Sequence, residues 1–173
     1  MKKNAFALFL ALALALTLAA CGGTAESNPS ESPAKDVDLE AWYAELTETT
    51  LNIEDWPKQM PLEGEMLDSY YPGLSDISVK FQAVSTAAIS AAVGELAVVE
   101  TENAEDVSTV EAIFQARIDY QVGDETNPGA AFYPDTIEQW QRTAQIVTQG
   151  NRVLLAAGDL AGEIADSFNA LFA

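Results

Sequence analysis

Gln145-Ile146-Val147-Thr148-Gln149-Gly150-Asn151-Arg152-Val153-Leu154-Leu155-Ala156-Ala157 is the stretch on which the fold turns. Ile146-Val147-Thr148 and Val153-Leu154-Leu155 have strand composition. Between them Gly150-Asn151 is a two-residue turn of the kind whose backbone twist matches paired strands. A hairpin follows, and with it an antiparallel sheet. Working back along the chain, Ile77, Val79 and Phe81 alternate with Ser78, Lys80 and Gln82, and residues 95–100 enclose the run Leu96-Ala97-Val98-Val99. Residues 78–100 therefore read as an antiparallel pair or one long bent strand, with Gly94 as a bulge; residues 85–92 fit either helix or strand.

Helical patterns surround these strands. Asp38 caps a helix to about residue 51, with Leu39, Trp42, Tyr43 and Leu46 on one face. Trp56-Pro57 and Met60-Pro61 break the chain. Residues 63–71 make a second, short helix with Met66, Leu67 and Tyr70 inward, stopped by Pro72-Gly73. A third helix opens at Asn103 or Ala104 and runs to about residue 120, with Val107, Val110, Phe114 and Ile118 as its stripe and Glu105 and Asp106 at its positive end. After a turn-rich loop at 123–131, Tyr133-Pro134-Asp135 starts a fourth helix that turns Ile137, Trp140 and Ala144 inward. Asp159 caps the last, which carries Leu160, Ile164, Phe168 and Leu171. There is no internal repeat. The order predicts a single α+β domain over residues 36–173, an antiparallel sheet of about four strands with helices packed largely on one face.

The other end of the chain reads as an export address. Met1-Lys2-Lys3-Asn4 is a short positive segment, and residues 5–20 are almost wholly Ala, Leu and Phe. As a helix those sixteen residues would rise about 24 Å, short of a hydrocarbon core of about 30 Å, so a cleaved signal is expected rather than a span. Leu18-Ala19-Ala20-Cys21 has the form of a bacterial lipobox, cut before a cysteine whose sulfur carries the lipid. Cys21 is the sole cysteine; left as a stray thiol in an oxidising compartment it would be a liability. Two acyl chains of palmitate type, at about 0.8 kcal/mol per buried CH₂, anchor stably where one is marginal. Residues 22–35, with Pro29 and Pro33 among Gly, Ser, Thr and Glu, read as a disordered tether. As a flexible coil it spans about 20 Å, beyond the Debye length of about 8 Å. The expected location is the extracytoplasmic face of a bacterial cell membrane.

Charge narrows the partners. The chain has 27 Asp+Glu, 8 Lys+Arg and no His. Loss of Lys2 and Lys3 with the leader leaves 6 against 27, a net −21. That balance argues against nucleic acid and against a domain lying flat on anionic lipid. Without His, and with the one thiol committed to lipid, the commonest general base, zinc ligand and thiolate nucleophile are gone. No cofactor and no metal is expected.

Ile113-Phe114-Gln115-Ala116-Arg117-Ile118-Asp119-Tyr120-Gln121, Tyr133-Pro134, Trp140 and 144–153 (Ala144-Gln145 through Gly150-Asn151-Arg152-Val153) together resemble the bacterial lipoproteins catalogued as domain of unknown function 4358. The resemblance covers about residues 38–172 and is best after residue 95. Arg152 departs from it, since an aromatic is expected after Gly150-Asn151. The resemblance implies a cell-envelope lipoprotein and brings no activity or binding residues with it.

Asp124-Glu125-Thr126-Asn127-Pro128-Gly129 gathers oxygen ligands, but its spacing fits no EF-hand, and a solvated turn is expected. Arg117 could clamp a carboxylate or phosphate with its planar fork, or form a salt bridge to Glu111, Asp119 or a neighbouring element. Trp42, Trp56, Trp140, Tyr120 and Tyr133 could line a sugar- or peptide-binding surface; Trp42 and Trp140 sit at core spacing, whereas Trp56 and Tyr133, beside prolines, are the better candidates for ligand contact. Two functions remain. One is a non-enzymatic, lipid-anchored module that binds an envelope protein, peptide or small ligand. The other is a small carboxylate-dependent hydrolase of envelope glycans, which needs two facing acids about 5–9 Å apart.

Overall fold

Residues 37–52, 56–131 and 133–173 are described by a computed structural model; the leader, Leu18-Ala19-Ala20, Cys21 and the tether lie outside them. At its centre β3 (Gly94–Thr101) and β5 (Arg152–Gly158) run side by side and antiparallel, from Gly94 opposite Gly158 to Glu100 opposite Arg152. Both are buried along their whole length. β2 (Val79–Ala87) pairs with the other side of β3 and β4 (Gln145–Gln149) with the other side of β5. A short β1 (Gln59–Pro61) adds itself to β2, so the sheet has five strands in the order β1-β2-β3-β5-β4, every neighbour antiparallel. The hairpin turn is Gly150-Asn151, with Gln149 opposite Arg152 and Gly150 in the left-handed region at φ 61°.

The fold is α+β as its pattern predicts, with two differences of detail. Met60-Pro61 does not break the chain but supplies the fifth strand. Pro61 lacks an N–H, and an outer strand tolerates that. Helices also cover both faces of the sheet rather than largely one. Leu96, Val98, Leu154 and Ala156 pack under α1 (Leu39–Glu48) and α5 (Ala161–Ala170), while Ala97, Val99, Val153 and Leu155 pack under α2 (Glu65–Tyr70) and α3 (Val107–Val122). The physical reason lies in the unbroken apolar runs of β3 and β5. A strand with one wet face alternates, whereas one apolar at every position must be roofed twice.

α4 (Pro134–Thr143) lies against α3 and brings Trp140 over Ala157 and Val93. Asp38 caps α1 by accepting from the Ala41 amide at 2.9 Å. Trp42 and Phe168 clamp α1 to α5 with rings edge-on at 5.5 Å, and Trp42 Nε1 donates to Ser167 Oγ at 3.1 Å.

Three local expectations change. Asp159 does not cap the last helix, which starts at Ala161 after Leu160; its carboxylate instead lies 3.7 Å from Arg142 on the surface. Met66 is turned outward, 40% exposed. Gly94 is the first residue of β3 rather than a bulge, and the register shift falls between Val79 and Phe81. Gly94 is required for closeness: a Cβ there would stand 2.2 Å from Pro57 Cγ.

Candidate functional site

The α3 stripe decides the site. Buried on its inner face are Val110, Phe114 and Arg117, a guanidinium at a position whose spacing calls for an apolar side chain. Across from it, β3 puts Glu95 on the same face as Ala97 and Val99, toward α3, because side chains two apart share a face. Thr86 is the register partner of Glu95 on β2. Tyr71, the residue after α2, is fully buried with its ring edge-on to Phe114 at 5.7 Å.

These four side chains meet at one carboxylate. Arg117 Nε donates to Glu95 Oε1 at 2.6 Å and Nη2 to Oε2 at 2.9 Å. The Tyr71 hydroxyl donates to Oε1 at 2.5 Å, and Thr86 Oγ1 to Oε2 at 3.0 Å. Glu95 thus accepts four hydrogen bonds, about all that a carboxylate's lone pairs provide. The ion pair is deep, with side chains 4% and 1% exposed for Arg117 and Glu95. Such a pair is kept by its extra hydrogen bonds, since Coulomb attraction alone does not repay desolvation.

The electrostatics follow from burial. Burial pushes the Tyr71 phenol well above its ordinary pKa, and the neighbouring Glu95 charge pushes the same way, against the pull of Arg117. Burial works against the charge of Arg117, but hydrogen bonds and charge from Glu95 outweigh it and hold its pKa above the usual value. Four rings stand around the guanidinium carbon: Tyr70 at 4.6 Å, Tyr71 at 5.8 Å, Trp140 at 5.9 Å and Tyr120 at 6.0 Å. Cation–π attraction of this kind strengthens once water is excluded.

Above the pair opens a cavity of about 440 Å³, whose wall includes Glu95, Arg117, Tyr70, Tyr120, Thr86 and Trp140. The volume is that of a small-ligand pocket. Two of its lining residues are large, apolar and outward: Ile89 is 63% exposed and Tyr120 59%. Ala130 and Ala131 close one side because the 123–131 loop folds back on α3, their amides donating to the Tyr120 and Gln121 carbonyls at 2.8 and 3.1 Å. Gly123 permits this return: its φ is 73°, and a Cβ would lie 2.3 Å from the Asn127 carbonyl oxygen.

The residues singled out by sequence divide sharply. Arg117 is at the heart of the site, and its partner is on a neighbouring strand rather than Glu111 or Asp119. Tyr133 is 45% exposed and caps the start of α4, one turn before the cavity residue Thr136, whose hydroxyl donates to the Tyr133 carbonyl at 2.7 Å. Trp56 is no surface contact: it is 3% exposed, in the core cluster under α1 and α5, and stands so close to Gly158 that a Cβ there would be 2.9 Å from its ring. A proline neighbour signals a turn, and this turn faces inward. Glu95, Tyr71 and Thr86 had no place in the sequence reading. The signal for Glu95 is an acid two residues before Ala97, on the α3-facing side of a strand whose centre, Leu96–Val99, is apolar.

Elsewhere, the 124–129 loop is an Asx turn. Asp124 Oδ1 accepts from the Thr126 amide and hydroxyl and from the Asn127 amide at 2.7–2.8 Å, and these bonds lower its pKa. Arg152, the departure from the family pattern, is also buried: it faces Glu100 with Nη2 3.2 Å from Oε1, and its guanidinium lies 5.4 Å from the Phe172 ring. Among the described residues no cluster of three or more His, Cys, Asp or Glu could hold a metal ion, and no helix is long and apolar enough to cross a membrane.

The family described as Domain of unknown function (DUF4358) matches residues 52–158 of this chain. The chain belongs to that family. The DUF4358 match spans all five strands, and the whole Tyr71–Thr86–Glu95–Arg117 cluster, the cavity and Trp140 fall inside it. α1 and α5 frame the matched region from either side. No curated protein and no solved structure matches the chain.

Proposed function

We propose that this DUF4358 domain is a lipid-anchored, non-enzymatic binding module of the bacterial cell envelope, held through Cys21 at the extracytoplasmic face, with the cavity beside Arg117 as its ligand seat. The observation that carries the reading is the state of Glu95. Among the described residues it is the one carboxylate in the cavity wall, and its four accepted hydrogen bonds come from Arg117, Tyr71 and Thr86. A group so committed fixes the shape of a pocket. The hydrolase reading asks for two facing acids, and among the described residues the cavity wall supplies one. The lipobox at Leu18-Ala19-Ala20-Cys21 supports the anchor, and the 27 acids favour a partner with positive charge.

Two measurements test this. Replacing Cys21→Ala should move the protein from the membrane fraction to the soluble one, and a variant that stays with membranes sinks the anchor. A photo-crosslinking side chain placed at Ile89, beside the cavity, should capture a partner or ligand in intact cells that the same group at Glu163 on the opposite face does not. Identical captures from both positions would remove the cavity from the function.

A further inference from the structure

The cavity wall carries a buried guanidinium, and its donors bear on the chemistry of what enters. A guanidinium carries five N–H donors in a rigid fork. The Glu95 pair uses one each from Nε and Nη2. Three donors therefore stand outside the pair, on a cation 4% exposed that lines the cavity. Donors at such depth call for acceptor oxygens, and a carboxylate is the group whose geometry suits the guanidinium fork. Tyr70, Tyr120 and Trp140 add an apolar wall beside it.

Size and charge narrow the class further. At about 30 Å³ per water, 440 Å³ holds about fifteen water-sized groups, the heavy-atom count of about two amino-acid residues. Ile89 and Tyr120 nevertheless line the cavity with more than half their surface in solvent. A molecule small enough to lie wholly inside leaves those rim surfaces wet, whereas a chain that runs on outward covers them. The body of such a chain meets a protein with 27 acids against 8 bases. That field repels a small free acid and attracts a cationic body, so a carboxylate reaches Arg117 most readily as the end of something basic.

We propose that the cavity receives the C-terminal carboxylate and last one or two residues of a basic peptide or protein tail, with the preceding residues crossing Ile89 and Tyr120. This rests on the reading of the cavity as a ligand seat and names its occupant.

The test uses the full chain in detergent and a set of fluorescein-labelled lysine-containing decapeptides that differ in their last residue. Each is made with a free carboxylate and with a C-terminal amide. At least one acid-ended peptide should bind, and its amide should bind at least 10-fold more weakly. Ile89→Ser and Tyr120→Ala, both at exposed positions that leave the core intact, should each weaken it about 5-fold, and Arg117→Lys, which keeps the charge and loses the fork, about 10-fold or more. The rim variants keep the test decisive where Arg117→Lys does not fold. Equal binding of acid and amide, or binding unchanged by both rim variants, overturns the proposal. So does a set in which no peptide binds. Phenyl β-glucoside and benzoate, followed by melting temperature and tryptophan fluorescence, separate the two levels. If either is bound by the parent chain and not by Tyr120→Ala while no peptide binds, the cavity remains a ligand seat and the peptide falls. If none of the probes binds, both readings fall.

Discussion

Tyr71 keeps a phenol where a phenolate cannot be accommodated, between burial and the Glu95 charge. The sign of its effect on stability follows. Its folded pKa lies above the ordinary value of about 10. Below that value the folded and unfolded chains both hold the proton, and the contribution is whole. Above it the unfolded chain gives the proton up while the folded chain retains it, so stability falls as pH rises beyond about 10. Denaturant titrations across that range should show the decline in the parent and a flatter profile in Tyr71→Phe. At neutral pH the same variant should lose about 1.5–3 kcal/mol, the worth of a hydrogen bond to a charged group. Arg117→Met should cost about 3–5 kcal/mol, because it leaves the Glu95 charge buried without its cation. Adding Glu95→Gln to Arg117→Met should restore part of that loss, since a neutral amide still accepts from Tyr71 and no longer strands a charge. A double variant no better than Arg117→Met alone would mean that packing, not charge, dominates at α3. Half of this pair was legible in the sequence. Arg117 stands out as one of the few cations in an acidic chain, with a fork suited to a carboxylate, while Glu95 is 22 residues away on another element, and only the sheet register and the seat of α3 bring them together.

Elements divide the same way between local and distant causes. The hairpin of β4 and β5 is written in its own turn, and α1 in Asp38 and its apolar spacing, so both form where the sequence puts them. β1 has no such signature. Gln59, Met60 and Pro61 are a strand only because Ala87, Thr86 and Ser85 lie opposite. The two-faced helical cover was present in the unbroken apolar runs of β3 and β5, which a search for alternation passes over. Gly94 sits where these elements crowd most closely. Gly94→Ala should destabilise by about 1–3 kcal/mol through overpacking against Pro57. Pro57→Ala combined with it should recover much of the loss, with the coupling read from denaturation midpoints in a double-mutant cycle. Additive losses would place the strain elsewhere than the Gly94–Pro57 contact.

For the whole molecule, 27 acids against 8 bases mean that folding gathers like charges. Raising ionic strength from about 0.01 to about 0.1 M shortens the Debye length from about 30 to about 10 Å and screens that repulsion. The melting temperature should rise by a few degrees over that interval, and should rise equally with NaCl and KCl if screening is the cause. A rise specific to one cation would instead indicate a bound ion. The buried Glu95–Arg117 pair lies beneath the protein surface and contributes little to this salt response, so the response belongs to the surface as a whole.

β3 and β5 are flanked by a strand on each side and roofed by helices above and below. Their peptide hydrogens consequently have no partial route to solvent. Placed in deuterium oxide, the amides of Leu96–Val99 and Val153–Ala156 should be the last to exchange, and at a rate set by opening of the entire domain rather than by fraying. A pair of central strands then becomes a clock for global opening of the native state, and a ligand held in the neighbouring cavity would slow it by a factor of one plus the ratio of its free concentration to its dissociation constant.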